Sequence, residues 1–145
     1  MNPEIWGSHA WIFLHTITLN YPKNPTLYDK KVYKNFFENL DKILPCTWCA
    51  HNYRIHMKKY PIQHYLGTKK NLVKWLIIMH NEVNKILKKN TINYEEFLYI
   101  YKDLYKQNES CNLYIIIPII IIIIIITCSF IYFNQSKFQS YFQIQ

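Results

Sequence analysis

Two cysteines separated by two residues are the part of this 145-residue sequence best suited to chemistry. They lie in the segment Pro45-Cys46-Thr47-Trp48-Cys49, where the proline fixes the entry to a predicted helix. This spacing lets both sulfurs approach within the first helical turn, where exposed amide groups and the helix dipole stabilise a thiolate. Because the thiolate is the species that exchanges with disulfides, the pair predicts a redox-active dithiol.

Two other uses of a cysteine pair fit the sequence less well. A structural zinc site usually needs four ligands, and the sequence contains no second pair. His51 and His56 follow Cys49 too closely for all these ligands to point at one ion, so no metal site is predicted. A thioredoxin-type reductase needs strands that alternate with helices, which this sequence lacks. The other cysteines, Cys111 and Cys128, are predicted to be isolated thiols.

A second candidate site combines polar residues that two other predicted helices would place on their inner faces. His80, Asn84 and Lys88 are spaced by four residues, so they would lie one above another on a helix. Buried polar groups are costly without partners, and a buried ligand would supply them. With Trp11 and His15 from the first helix, the set suits an aromatic heterocycle that carries a pyrophosphate. For either histidine alone, a role in the protein core is the simpler interpretation.

The elements that must position these residues are all predicted to be helical. Apolar residues recur at three- and four-residue spacings, and no segment outside the isoleucine run alternates like a strand. Prolines end the first three helices. The predicted helices cover about residues 3–20, 27–43, 46–60, 68–89 and 93–106. The sequence therefore predicts an all-α fold, a four-helix bundle with a short fifth helix.

A charge-free apolar segment at about residues 113–133 has the length of a helix that crosses a bilayer. Pro118 disfavours a central β-strand, the main alternative for so many isoleucines, and is tolerated in membrane helices. The predicted parts are a soluble domain at residues 1–110, this C-terminal transmembrane helix and a short polar tail at 134–145. Two lysines just before the segment and the lack of an N-terminal secretory signal predict that the catalytic domain faces the cytosol.

The basic composition does not by itself indicate a nucleic-acid partner. The net charge is +8, but the lysines are scattered and Arg54 is the only arginine. A nucleic-acid-binding protein usually carries clustered basic residues that include arginine. AT-rich coding DNA explains the abundance of Ile, Lys, Asn and Tyr, so no nucleic-acid partner is predicted.

Together, these motifs resemble those of the Erv/ALR family of FAD-dependent sulfhydryl oxidases, over about residues 6–105. The first helix of that family has a Gly and a Trp before Leu-His, followed by Tyr-Pro. The family also has Pro-Cys-x-x-Cys and a later His-Asn-x-Val-Asn-x-x-Leu-x-Lys segment. A second structural disulfide of many members has no counterpart here, because Tyr94 stands where they have a cysteine. The matching residues are Gly7, Trp11, Leu14, His15, Tyr21, Pro22, Cys46, Cys49, His80, Asn81, Val83, Asn84, Leu87 and Lys89.

The resemblance implies an enzyme that passes electrons from substrate thiols to the Cys46–Cys49 disulfide, then to FAD and then to oxygen, which forms hydrogen peroxide. Cys46, at the helix start and expected to be the more exposed, would be attacked by the incoming thiol. Cys49 would lie next to the flavin. The implied FAD-binding residues are Gly7, Trp11, His15, Tyr21, His80, Asn81, Val83, Asn84, Leu87, Lys88 and Lys89.

The resemblance also implies a homodimer whose substrate is a protein dithiol or a thioredoxin-like protein. The sequence looks like the shorter forms carried by large cytoplasmic DNA viruses. Disulfide formation in a viral cytoplasmic pathway is therefore expected, at the host endoplasmic reticulum or at a virion membrane. A non-enzymatic helical membrane adaptor is the alternative that the residues alone leave open.

Overall fold

A computed structural model describes the backbone of residues 1–142 and the side chains of residues 1–106 and 115–132. Every regular element in this part of the chain is helical, which confirms the predicted all-α fold. The chain divides into two compact units, Met1–Phe97 and Leu98–Gln145. The elements are α1 (Pro3–Asn20), α2 (Leu27–Glu38), α3 (Leu40–Ile43), α4 (Thr47–Lys59), a 3₁₀ turn (Ile62–His64), α5 (Lys69–Ile86) and α6 (Tyr94–Phe142).

Local capping sets where the first two helices begin. The Asn2 side-chain oxygen accepts a hydrogen bond from the Glu4 backbone N–H at 3.0 Å, and Pro3 occupies the first turn. Thr26 and Asp29 form a capping box, in which each side chain accepts a hydrogen bond from the other residue's backbone N–H. These bonds satisfy amide groups that a helix start leaves without partners. Both predicted starts are therefore confirmed.

The predicted second helix, residues 27–43, is divided in the structure. α2 ends at Glu38, and α3 begins at Leu40 after the single residue Asn39. The Asn39 side-chain amide donates to the Asn35 carbonyl at 2.7 Å, an acceptor that the Asn39 backbone N–H also uses. Asparagine side chains that bond to nearby backbone in this way compete with regular helix. The prediction of one continuous helix was wrong at this residue.

Aromatic side chains join α2, α4 and α5 in the core of the first unit. The rings of Phe37 and Trp75, both fully buried, meet edge to face with their centroids 4.9 Å apart. The Tyr53 hydroxyl donates to the Phe37 carbonyl at 2.9 Å, and the Trp75 indole N–H donates to the Tyr60 carbonyl at 2.9 Å. Because a buried polar group is costly without a partner, these bonds hold α4 at one rotation about its axis.

α5 ends at Ile86, earlier than the sequence predicts. Lys88 has a φ of 54°, in the left-handed region, and its N–H donates to the Lys85 carbonyl at 3.1 Å. The next N–H, that of Lys89, donates to the Asn84 carbonyl at 2.8 Å. This pair of bonds is a Schellman motif, which closes a helix by satisfying its last carbonyls. The predicted place of Lys88 on the same helical face as Asn84 was therefore wrong.

The described part of the second unit belongs to α6. Its backbone stays helical beyond residue 106, so the predicted end of a short fifth helix is not observed. Ile115–Tyr132 is long and apolar enough to cross a membrane, and its side chains are exposed. This stretch contains the exposed free cysteine Cys128. Cys111 and the predicted tail at 134–145 lie outside the residues whose side chains are described.

Candidate active site: a disulfide and a histidine pair

Cys46 and Cys49 form a disulfide at the start of α4, with their Cα atoms 5.2 Å apart. Cys46 is the N-cap residue of this helix, and its Sγ accepts a hydrogen bond from the Cys49 backbone N–H at 3.1 Å. An amide donor and the positive end of the helix dipole both stabilise negative charge on this sulfur. The geometry therefore suits a Cys46 thiolate once the disulfide is reduced.

Exposure does not distinguish the two cysteines, because both are half-buried. The expectation that Cys46 is the more exposed of the two gains no support from burial. The sulfurs differ instead in position, since Cys46 precedes the helix whereas Cys49 lies in its first turn, next to buried Ala50. The separate roles assigned to the two sulfurs stay a prediction that rests on this difference.

Aromatic side chains of α1 and α5 form a second cluster. The Trp11 and His80 rings stack, with centroids 4.0 Å apart and planes 7° from parallel. His15 Nε2 and His80 Nδ1 are 3.1 Å apart, a distance at which one ring N–H donates to the other ring's lone pair. The structure thus brings together Trp11, His15 and His80, which the sequence assigned to one site.

Both histidines of this cluster are neutral near pH 7. Burial lowers the pKa of His15 to about 3, and the nearby His80 adds to this effect. Burial also lowers the pKa of His80 to about 4, and the positive charge of Lys89 contributes. Neutral imidazoles stack and exchange hydrogen bonds without bringing charge into the interior.

We predict that the folded state loses stability as the pH falls below about 6.5, the ordinary pKa of histidine. Because the folded-state pKa values of His15 and His80 are lowered to about 3 and about 4, the unfolded chain binds more protons at intermediate pH. The free energy of unfolding should then fall by about 1.4 kcal/mol per pH unit for each histidine.

Denaturant titrations between about pH 7 and about pH 5 measure this decline. The His80→Phe variant loses one of the two groups, so its stability should fall less steeply with pH than that of the unchanged protein. Equal slopes for the two proteins would contradict the assignment of buried, neutral histidines.

The two asparagines that follow His80 on α5 have different surroundings. Asn84 is only 9% exposed, and its side-chain amide makes no hydrogen bond within the described part of the chain. By contrast, the Asn81 side-chain nitrogen donates to the Ile92 carbonyl at 2.8 Å, and its oxygen accepts from the Ile92 N–H at 3.1 Å. Asn81 thus uses both ends of its amide to hold the segment between α5 and α6, whereas the Asn84 amide is available to a ligand.

The other residues predicted for the site lie in several places. Gly7 is half-buried on α1, and a Cβ at this residue would meet no atom within 4 Å, so this surface is open. Tyr21 is fully buried and its hydroxyl donates to the Leu66 carbonyl at 3.0 Å, which places it in the core. The remaining residues are half-buried Val83 and, at the end of α5, exposed Leu87 and Lys88.

Phe97 belongs to the cluster, although it is not among the residues that the sequence assigned to the site. It is fully buried, and its ring centroid lies 4.7 Å from that of His15. Reciprocal bonds between Asn93 and Glu96 cap the start of α6 and so fix where Phe97 points. The cap was readable from the sequence, but the contact needs the fold of the segment that Asn81 holds.

This arrangement offers two kinds of chemistry. The Cys46–Cys49 disulfide can exchange with thiols, and the Trp11–His80 stack can hold a flat heteroaromatic ring. Within the described residues, no three His, Cys, Asp or Glu side chains lie close enough to share a metal ion.

The model of the Erv1 / Alr family matches residues 8–105, which contain both the disulfide and the histidine pair. The chain belongs to this family. One Erv1 / Alr relative, a probable FAD-linked sulfhydryl oxidase of Acanthamoeba polyphaga mimivirus, is 44% identical over 97 residues. That match covers 66% of this chain and 68% of the relative. The mitochondrial FAD-linked sulfhydryl oxidase of Schizosaccharomyces pombe is 37% identical over 87 residues, 60% of this chain but only 48% of that protein.

Solved structures of the Erv1 / Alr family share the fold. The crystal structure of the FAD binding domain of Erv1 from Saccharomyces cerevisiae matches with a TM-score of 0.65 and 30% identity. The match covers 71% of this chain and 96% of that domain. It confirms the helical-bundle fold that the sequence predicts.

Proposed function

We propose that this protein is an FAD-dependent sulfhydryl oxidase that forms disulfide bonds in substrate proteins. The observation that carries the proposal is the Cys46–Cys49 disulfide at the N-terminus of α4, in a member of the Erv1 / Alr family. The Schizosaccharomyces pombe relative described above is an FAD-linked sulfhydryl oxidase, and the viral relative is described as a probable one. The viral relative supports a role in disulfide formation during viral assembly in the cytosol.

The residues around the Trp11–His80 stack fit FAD. Trp11 and His80 form a stack of neutral aromatic rings, a kind of group on which a heteroaromatic ring stacks. The buried Asn84 amide has no hydrogen-bond partner in the described chain. The positive charge of Lys89 contributes to the lowered pKa of His80, and in this proposal its ammonium group pairs with a phosphate. We assign Trp11, His15, His80, Asn84 and Lys89 as the binding set. The binding roles of Gly7, Tyr21, Asn81, Val83, Leu87 and Lys88 stay predictions that rest on the family resemblance.

Bound FAD supplies a two-electron acceptor that molecular oxygen reoxidises with release of hydrogen peroxide. The thiol exchange takes place on the protein. A substrate thiolate attacks the Cys46 sulfur, an S–S bond forms between them, and the Cys46–Cys49 bond breaks to leave its electron pair on Cys49. The second substrate thiolate then attacks the substrate sulfur and releases Cys46, whose negative charge the Cys49 N–H stabilises. The substrate loses two protons and gains a disulfide, and the protein holds two reduced cysteines.

Purification of the full chain in detergent tests the proposal. We expect a yellow protein that releases FAD on heating and that consumes oxygen when a small dithiol is added. One hydrogen peroxide should form for each disulfide made. A colourless protein that cannot be reconstituted with FAD would contradict the proposal and would favour the membrane adaptor.

We also propose that the protein is a homodimer. α1 buries one face through Leu14 and Thr18, while Ile5, Ile12 and Phe13 on its surface are exposed. Exposed apolar residues grouped on one helix favour association with a second copy of the same surface. We therefore propose that a second copy of this chain binds to this surface.

A charge on this surface should dissociate the dimer. We expect Phe13→Asp to halve the mass measured by light scattering, because an unpaired carboxylate is costly in an apolar interface. Leu27→Asp, at another exposed apolar residue, serves as the control and should leave the mass unchanged. A Phe13→Asp variant with the same mass as the unchanged protein would contradict the proposed surface.

We propose that Ile115–Tyr132 anchors the protein in a membrane, of the host endoplasmic reticulum or the virion, with the catalytic domain in the cytosol. The charge-free composition of this stretch and its exposed side chains support an anchor. The full chain should remain with membranes after alkaline extraction, whereas a chain that ends at residue 110 should be released. In intact microsomes, protease should remove an N-terminal tag and spare a C-terminal tag. The opposite pattern would place the active site in the lumen.

A further inference from the structure

We propose that an apolar rim beside the disulfide, formed by Ile43, Pro45 and Trp48, binds the client residue next to the reacting cysteine. The enzyme would then prefer thiols that have an apolar neighbour along the client chain. This inference rests on the proposed thiol oxidase function and names a feature of its clients.

The rotation of α4 places Trp48 in solvent beside the disulfide. Ala50, Tyr53 and His56 are buried, and their three-residue spacing defines the inner face of the helix. Trp48 stands between the two cysteines on the opposite side, where 53% of it is exposed. The hydrogen bond from the Tyr53 hydroxyl to the Phe37 carbonyl fixes this rotation. The exposure of Trp48 is therefore imposed by the fold of α4.

Two further apolar residues complete the rim. Ile43, at the end of α3, is 74% exposed, and exposed Pro45 directly precedes Cys46. The salt bridge between Arg54 and Asp41, at 3.2 Å, ties α3 to α4. Single exposed apolar residues are ordinary on protein surfaces, but three in the short segment that carries a reactive disulfide indicate a binding surface. A bound client would cover these side chains, and their removal from water would add favourable free energy to client binding.

The charges near the rim favour apolar over ionic recognition. Asp41 is paired with Arg54, and the Lys42 ammonium group donates to the Asn39 side-chain oxygen at 2.7 Å. The Met1 ammonium group also lies at the rim, where it donates to the Pro45 carbonyl at 3.1 Å. These charged groups therefore already have partners, and the side chains of the rim itself are apolar. The occupant that fits is an extended client segment with an apolar residue beside its cysteine. Such an anchor would hold the client thiolate near the Cys46 sulfur, which raises the rate of attack by proximity.

Two synthetic dithiol peptides test this inference. They differ only in the residue before the first cysteine, which is leucine in one peptide and serine in the other. The unchanged protein should oxidise the leucine peptide with a kcat/KM about tenfold higher, as partial burial of a leucine side chain predicts. Trp48→Ala should reduce this preference to about twofold, mainly through KM, because most of the apolar contact is lost. Trp48→Phe should retain most of it. Rates with dithiothreitol should be the same for all three proteins.

Tyr28→Ala is the matched control, because it removes another exposed aromatic side chain, on α2, and should leave the preference intact. Equal kcat/KM values for the two peptides in the unchanged protein would overturn the inference and leave the proposed oxidase standing. The inference would also be overturned if Trp48→Ala slowed the oxidation of dithiothreitol as much as that of the leucine peptide, because Trp48 would then support the disulfide itself. Failure of the unchanged protein to oxidise dithiothreitol would remove the proposed function and this inference together.

Discussion

Replacement of either cysteine of the disulfide should abolish dithiol oxidation. In Cys46→Ser and in Cys49→Ser, oxygen uptake with dithiothreitol should fall by at least about a thousand-fold, as in enzymes that lose an essential nucleophile. A serine hydroxyl cannot form the S–S bond through which the substrate's electron pair leaves. An oxygen electrode measures the loss, and retained flavin absorbance shows that the variants still fold.

The two variants should differ in the species that they trap. A client activated as a disulfide with a chromophoric thiol should react with Cys49→Ser to give a stable mixed disulfide on Cys46, because no second cysteine remains to resolve it. The hydrogen bond from the Cys49 N–H to the Cys46 sulfur and the position of Cys46 at the N-terminus of α4 both favour the Cys46 thiolate that this reaction needs. Cys128→Ser is the control and should keep full activity. Full activity in either active-site variant would refute the assignment.

Asn84→Leu should weaken FAD binding about tenfold, the effect of one lost hydrogen bond together with an unsatisfied ligand group. This substitution is informative because the Asn84 amide has no hydrogen bond to break within the described chain. Leucine is also a good helix former, so α5 should persist. His80→Leu should weaken binding further, because it removes the ring that stacks on Trp11 as well as the bond to His15.

Fluorescence titration of the FAD-free variants measures these affinities, and circular dichroism checks the helix content. Two surface substitutions provide controls: Asn71→Leu on α5 and His64→Leu in the 3₁₀ turn, both at exposed residues. The controls should bind FAD like the unchanged protein. If Asn84→Leu and His80→Leu also do so, the proposed pocket is in the wrong place.

The sequence predicted those parts of the fold that local chemistry controls. The starts of α1 and α2 are written in neighbouring residues, and so is the position of the cysteine pair at a helix start. The three- and four-residue spacings likewise sufficed to bring Trp11, His15 and His80 to facing positions on α1 and α5.

Other features depend on competition between backbone and side chain, which periodicity does not report. The spacing of Lys88 from Asn84 fits a continuous helix, yet α5 ends at Ile86 and Lys88 itself adopts the left-handed conformation that closes it. Asn39 interrupts the second helix in a similar way, through a bond to the preceding turn. The sequence grouped Asn81 with the ligand-binding residues, but its contact with Ile92 depends on how the segment after α5 folds back. Tertiary contacts of that kind have no signature in one sequence.

The central claim is that electrons pass from a thiol through Cys46–Cys49 to bound FAD. Mixing the oxidised protein with a dithiol in the absence of oxygen tests this claim most directly. The visible absorbance of the flavin should bleach within the turnover time and return once oxygen has been admitted and the dithiol is used up. One hydrogen peroxide should form for each dithiol oxidised. Cys46→Ser and Cys49→Ser should stay yellow under the same conditions. A flavin that stays oxidised in the unchanged protein, or one that bleaches equally fast in both cysteine variants, would contradict the account.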